Sequence, residues 1–290
     1  MSFIDEIRHS YSRGSMLLKL IFINIGVFVL LHLVAIIMML FNAGTDVLSW
    51  VSMPSDLHLL LRRPWTLVTY MFSHYSILHI LFNMLWLYWL GRIFMEYFSA
   101  KQLTGVYLLG GWGGALLYLL AYNLLPHFAS THAILIGASA SVIAVVVAAA
   151  VYAPDYKIGL LFLGEVPLKW IAIITVAIDV LSMESGNMGT SLAHIGGAIV
   201  GAWFALRIKR GHDITRPLNA FIDWIVGLFN GRSFKLQKPQ RQPSRPARDM
   251  GSVSEEELDK ILKKIKDSGY DALTDAEKDK LFKASRRGTP

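Results

Sequence analysis

Four polar residues set in apolar stretches, His79, Asn83, Ser139 and His194, are of the types needed to hydrolyse an acyl bond. A serine hydroxyl is a weak nucleophile until a neighbouring imidazole takes its proton, and the same imidazole can hand that proton to the leaving amine. The tetrahedral intermediate carries an oxyanion, which the backbone N–H near Ser139 and the side chains of His79 and Asn83 could hold. His79 and Asn83 are four positions apart, so on a helix they share one face, a turn apart. Ser139 stands in Gly137-Ala138-Ser139-Ala140, where small neighbours allow close approach to the hydroxyl. His194 is followed by Gly197 and Gly201, a GxxxG face that would let its helix pack tightly against that of Ser139.

Each residue has a plainer reading when taken alone. A serine among Gly and Ala in a membrane helix is ordinarily a packing residue, and a lone histidine near a helix end an interfacial group. Their joint placement at one depth on three co-directional helices argues for function. Ser141 is a rival nucleophile but points about 200° away around the helix. Asn24 and His32 read as internal hydrogen-bonding groups. No acidic residue adjoins His194 in sequence, so a Ser139–His194 dyad is the simpler expectation, although Asp179 could orient an imidazole.

The elements that must position these residues are membrane spans. Of the 290 residues, 54% are hydrophobic and 17% charged, and the mean hydropathy is +0.45. These values do not describe a soluble domain. The chain has no cysteine, which excludes disulfides, thiolate catalysis and cysteine-held metal. Stretches of roughly 20 apolar residues are needed to cross a bilayer as a helix. Candidates are Leu20 to Phe41, Ile77 to Phe94, Leu103 to Leu125, Ala133 to Val151, Val166 to Met183 and Leu192 to Ile208. The expectation is an all-α membrane protein of six spans over 1–210, with Ser139 about 10 Å below the outer start of the fourth.

The net charge of +7 follows the topology rather than a nucleic-acid partner. Arg8, Arg13, Lys19, Arg92, Lys101, Lys157, Lys169, Arg207, Lys209 and Arg210 fall on one side, against Arg62 and Arg63 on the other. Both termini are therefore expected to be cytoplasmic, and the first span lacks a small-residue cleavage site that would make it a removable signal. The first loop, Asn42 to about Tyr75, is half apolar and reads as a lid or substrate platform against the bundle. Residues 211–252 read as an amphipathic segment (Leu218 to Phe229) and a Pro-rich linker (Ser233 to Ser252). Residues 253–290 read as a small soluble helical hairpin. Its capping boxes are Ser254 with Glu257 and Thr274 with Glu277, and its apolar face is Leu258, Ile261, Ile265, Leu281 and Phe282. A unit this small is expected to need a partner or a membrane.

Three separated motifs resemble the rhomboid intramembrane proteases: His74-x4-His79-x3-Asn83-Met84, Gly137-x-Ser139, and Ala193-His194-x2-Gly197-x3-Gly201. The resemblance covers roughly 16–210. It implies a six-helix bundle, a Ser-His dyad, no cofactor or metal, substrates that are membrane proteins cut near the outer ends of their helices, and a bacterial inner membrane. The tail resembles a hairpin appended to some bacterial members. Ala140 stands where the family usually has Gly, Ile143 where it often has an aromatic residue, and Trp65-Thr66 where it has Trp-Arg. The expected function is that of an intramembrane serine endopeptidase. A silent rhomboid-like binder of transmembrane helices is the rival, although silent relatives generally lack the serine or the histidine. A transporter would place polar residues through to the cytoplasmic side or show an inverted repeat, and neither is seen.

Overall fold

A computed structural model describes residues 15–229 and 255–285, apart from 45, 130, 161–163, 182 and 184–187. Arg8, Arg13, the linker Ser233 to Ser252, Ser254, Ser182 and Glu184 therefore lie outside the described residues. The chain divides into two compact units, Met1–Gly231 and Arg232–Pro290.

The first unit is helical, with α1 (Met16–Leu40), α2 (Val47–Val51), α3 (Leu57–Arg62), α4 (Thr66–Thr69), α5 (Ile77–Tyr97), α6 (Ala100–Leu124), α7 (Ser139–Tyr152), α8 (Leu168–Leu181), α9 (Met188–Lys209) and α10 (Arg216–Phe229). Two short antiparallel ribbons depart from the all-α expectation: β1 (Met53–Pro54) with β2 (Ile134–Leu135), and β3 (Lys157–Leu160) with β4 (Gly164–Pro167). Helices α1, α5, α6 and α9 are long and apolar enough to cross a membrane. The expected spans at 133–151 and 166–183 appear instead as helices of 14 residues each, about 21 Å long. The first is shortened because Ile134 and Leu135 pair with β1 and Gly137 takes a φ of +127°, a conformation that L side chains rarely adopt. The second begins late because Pro167 ends a ribbon strand, and a proline is tolerated at a helix start but not in its interior.

Helix α7 is the centre of the bundle. Every residue from Ala140 to Ala150 is buried, as expected of a helix that is apolar all round and enclosed on every side. Its Ala and Val side chains are short, so α6 and α9 come within backbone reach of it. A Cβ on Gly197 would strike the Ala140 carbonyl, one on Gly201 the Ala144 carbonyl, and one on Gly196 the Gly113 carbonyl. The expected GxxxG seam is thus present and joins α9 to α7. Helix α8 differs: it buries only Leu168 and Ala172, while Ile173, Ile174, Ile178 and Leu181 are exposed.

The first loop is anchored rather than loose. Trp65 Nε1 donates to Trp50 O (2.8 Å), Thr69 Oγ1 to Val51 O (2.7 Å), Tyr70 Oη to Gly111 O (2.5 Å) and Trp112 Nε1 to Leu67 O (3.1 Å). Arg63 lies 4.4 Å over the Trp50 ring and donates to Ser49 O. Burial of Tyr70 raises its phenol pKa, the neighbouring Tyr107 adding to the effect. At the far end, α10 is tied to the start of α6 by Lys101–Asp223 (2.5 Å) and by Gln102 Nε2 donating to Asp213 (3.0 Å). That arrangement leaves Phe221, Trp224 and Leu228 exposed, the apolar side of an amphipathic helix.

In the second unit, α11 (Glu255–Ser268) and α12 (Asp275–Ser285) are joined through a short turn. Lys264 pairs with Glu277 and Lys280 with Glu257 across them. Thr274 and Glu277 form the expected capping box, and those hydrogen bonds, from the Thr274 N–H first and from Lys264 and the Thr274 hydroxyl after it, hold Glu277 at a pKa of about 2.

Candidate functional site

Ser139 opens α7 rather than lying inside a longer span, so its depth is not set by rise along that helix. Its placement comes from the segment before it. The Gly137 N–H donates to Tyr70 O (2.9 Å), and β2 is paired to β1, so the first loop holds the approach to the serine. As the first helical residue, Ser139 lies in the turn whose backbone N–H groups have no partner within the helix. The extra methyl of Ala140 does not crowd the hydroxyl, because it faces Gly114 of α6.

His194 sits one turn above Gly197, where the seam brings α9 against α7. Its Nε2 is 2.6 Å from Ser139 Oγ. Its Nδ1 is 2.7 Å from Asp179 Oδ1 of α8. The structure therefore brings the expected pair together and adds a carboxylate 15 positions away in sequence. Asp179 stands out in the sequence as a lone acidic group in an apolar span, which is why it could be named there as a group able to orient an imidazole. Its partner could not be read, because the α8–α9 crossing places the two side chains together.

His79 is set by Ser76, whose hydroxyl accepts the His79 N–H (3.2 Å) at the start of α5. A Cβ on Gly137 would come within 2.8 Å of the His79 Nε2 and Cε1 atoms. Only glycine there admits both the positive φ and the imidazole, and that imidazole stands beside the strand leading to Ser139. Asn83 Nδ2 donates to His79 O (2.8 Å), which leaves its other amide proton free to turn toward a ligand. His74 is fully buried, and the Ala138 N–H faces its Nε2 at 3.5 Å. Burial first, and the neighbouring His79 second, lower its pKa to about 4.

Two cavities meet at this point. One, of about 510 Å³, is lined by Asp46, Tyr75, His79, Ile134, Asp179 and His194 among others. The second, of about 280 Å³, lies between α5 and α8 and includes Phe82, Asn83, Ser139, Ile143, Ile178 and His194. Phe82 and Ile178 are exposed, so the second cavity opens sideways. Ser141 is buried with its hydroxyl unpaired and lines neither. Asn24 bonds to Leu20 O and the Tyr107 hydroxyl, and His32 to Phe28 O, away from the site as expected. Among the described residues no three His, Asp or Glu side chains gather in a group that could hold a metal. The arrangement supplies a hydroxyl, a base in contact with it and hydrogen-bond donors around a space that a carbonyl could enter.

A family model described as Rhomboid domain matches residues 61–210. The chain is similar to RHOMBOID-like protein 12, mitochondrial, of Arabidopsis thaliana, with 33% identity over 160 residues, 51% of this chain and 48% of that protein. It is also similar to Rhomboid protease GlpG of Photorhabdus laumondii subsp. laumondii, with 33% identity over 92 residues, 30% of this chain and 32% of that one. Presenilin-associated rhomboid-like protein A, mitochondrial, of Danio rerio is 26% identical over 146 residues, 49% of this chain and 36% of that one. The chain spans less than half the length of each of these relatives.

Proposed function

The chain belongs to the rhomboid family, and from that premise we propose that it is an intramembrane serine endopeptidase acting through Ser139 and His194. The observation that carries the reading is the 2.6 Å contact between Ser139 Oγ and His194 Nε2. In the proposed reaction the Ser139 oxygen attacks a peptide carbonyl while its proton passes to Nε2. The oxyanion is held by the Ser139 N–H with His79 and Asn83, and the proton returns to the leaving amine. Water then enters by the same base and releases the acyl group.

The substrate class follows from the surroundings. A backbone carbonyl in lipid is already hydrogen-bonded within its helix, so the segment cut must unwind, which favours small and helix-destabilising residues. The sideways opening past Phe82 and Ile178 suits entry of such a segment from the bilayer, and the larger cavity suits entry of water. In this reading the bundle crosses six times, α7 with its extended lead-in and α8 making the two short crossings. Both termini lie on the cytoplasmic side of a bacterial inner membrane, and the two-helix tail engages a cytoplasmic partner. Because the native chain has no cysteine, single cysteines at exposed His127 and Lys157 report orientation directly. An impermeant maleimide should label the first from outside and not the second, and the reverse pattern would invert the topology.

The test of function is cleavage of a model transmembrane substrate by the purified full chain. Ser139→Ala and His194→Ala should each abolish it while folding is retained, and Ser141→Ala should leave it intact. A wild-type protein that binds the segment without cutting it would replace this reading with that of a silent binder.

A further inference from the structure

We infer that Asp179 is a positioning residue of this site, holding His194 in the tautomer that can accept the serine proton; the inference rests on the proposed hydrolytic reading. The two ring nitrogens of His194 are both engaged, Nε2 by Ser139 at 2.6 Å and Nδ1 by Asp179 at 2.7 Å. An ionised carboxylate only accepts hydrogen bonds, so the proton must sit on Nδ1 and the lone pair on Nε2, facing the Ser139 O–H. When that proton moves to Nε2, an imidazolium forms between a carboxylate and a developing oxyanion. Asp179 stabilises it without becoming protonated itself. The proton then leaves from Nε2 to the departing amine, and Nδ1 keeps its own throughout.

The surroundings of Asp179 support a role beyond packing. Its helix carries no other charge apart from Lys169, which pairs with Asp155, and its one hydroxyl, on Thr175, donates to the Ile171 carbonyl of the same helix. A charge inside a membrane bundle is costly and is retained where it has a partner or lines water. Asp179 does both, since its side chain is 18% exposed and lines each of the two cavities together with His194. The competing account is that Asp179 merely ties the thinly packed α8 to α9. That tie would survive replacement by Asn, which keeps shape and hydrogen bonding but can donate to Nδ1 and so turn the wrong tautomer toward Ser139.

The experiment compares wild type, Ser139→Ala, Asp179→Asn and Asp179→Glu, as full chains in detergent on one transmembrane substrate. Asp179→Asn should lower kcat by about a hundredfold or more, with KM within about twofold of wild type. Asp179→Glu, which keeps a carboxylate to accept from Nδ1, should recover at least about tenfold of that loss. The inference is overturned if Asp179→Asn stays within about threefold of wild type, if it changes only KM, if Asp179→Glu recovers nothing, or if Asp179→Asn fails to fold. Wild-type rates from Ser139→Ala would instead sink the proposed function itself, whatever Asp179 does.

Discussion

The seam of α6, α7 and α9 and the neighbouring α8 each contribute to the same site, but they are held by different physics. Along the seam, glycines bring backbone against backbone: Gly197 and Gly201 lie on the carbonyls of Ala140 and Ala144, and Gly114 receives the Ala140 methyl. In lipid no hydrophobic force drives helices together, so close van der Waals packing of small residues is what holds such a seam. Helix α8 has two buried residues along its 14, and among the described residues the Asp179 carboxylate meets the His194 imidazole of α9. Ser139 and His194 therefore sit where packing leaves no slack. Asp179, which meets the His194 ring, sits on a helix that buries little of its own surface.

The comparison is broken most directly by adding atoms to the seam. Gly197→Leu forces α9 off the Ala140 carbonyl and should cost several kcal/mol, beyond the usual ~1–3 of overpacking because the obstacle is backbone. Cleavage should fall more than about a thousandfold, in step with a large drop in thermal unfolding temperature. The matched change on α8, Ile174→Ala at an exposed position, should move stability by less than about 0.5 kcal/mol. Equal losses from the two would show that the regions are not held differently.

A smaller effect is expected at His79 and Asn83, the proposed oxyanion face. His79→Ala and Asn83→Ala should each lower kcat by roughly ten- to a thousandfold with little change in KM. A pure KM effect would reassign this face to substrate recognition.

The smallest effect is one of pH on the seam's margin. With His74 at about 4 in the fold and an unfolded value near 6.5, the unfolded chain binds more protons between these limits. Stability is therefore full above about pH 6.5 and is lost as pH falls toward 4, by up to about 3 kcal/mol. Thermal unfolding in detergent across this window should show the slope, and His74→Gln should flatten it. A slope unchanged in His74→Gln would place the acid sensitivity elsewhere.

Much of this was legible in the sequence, and what escaped was non-local. The long spans, the Gly197 and Gly201 seam and the four polar candidates follow from hydropathy, spacing and the cost of polar groups in lipid. The start of α7 did not, because it depends on pairing of Ile134 and Leu135 with residues about 80 positions earlier and on the backbone angle at Gly137. The effect of Ala140 was also hidden, since an added methyl looks obstructive until Gly114 on another helix is seen to receive it. Asp179 was visible as an isolated charge, but its partner depended on a helix crossing that no spacing rule reports.

The most direct measurement of the central claim is labelling of the purified full chain with a fluorophosphonate, followed by mass spectrometry of the modified peptide. A single adduct on Ser139 is expected, absent in Ser139→Ala and strongly slowed in His194→Ala. An adduct on Ser141, or labelling of Ser139 at an undiminished rate without His194, would contradict it.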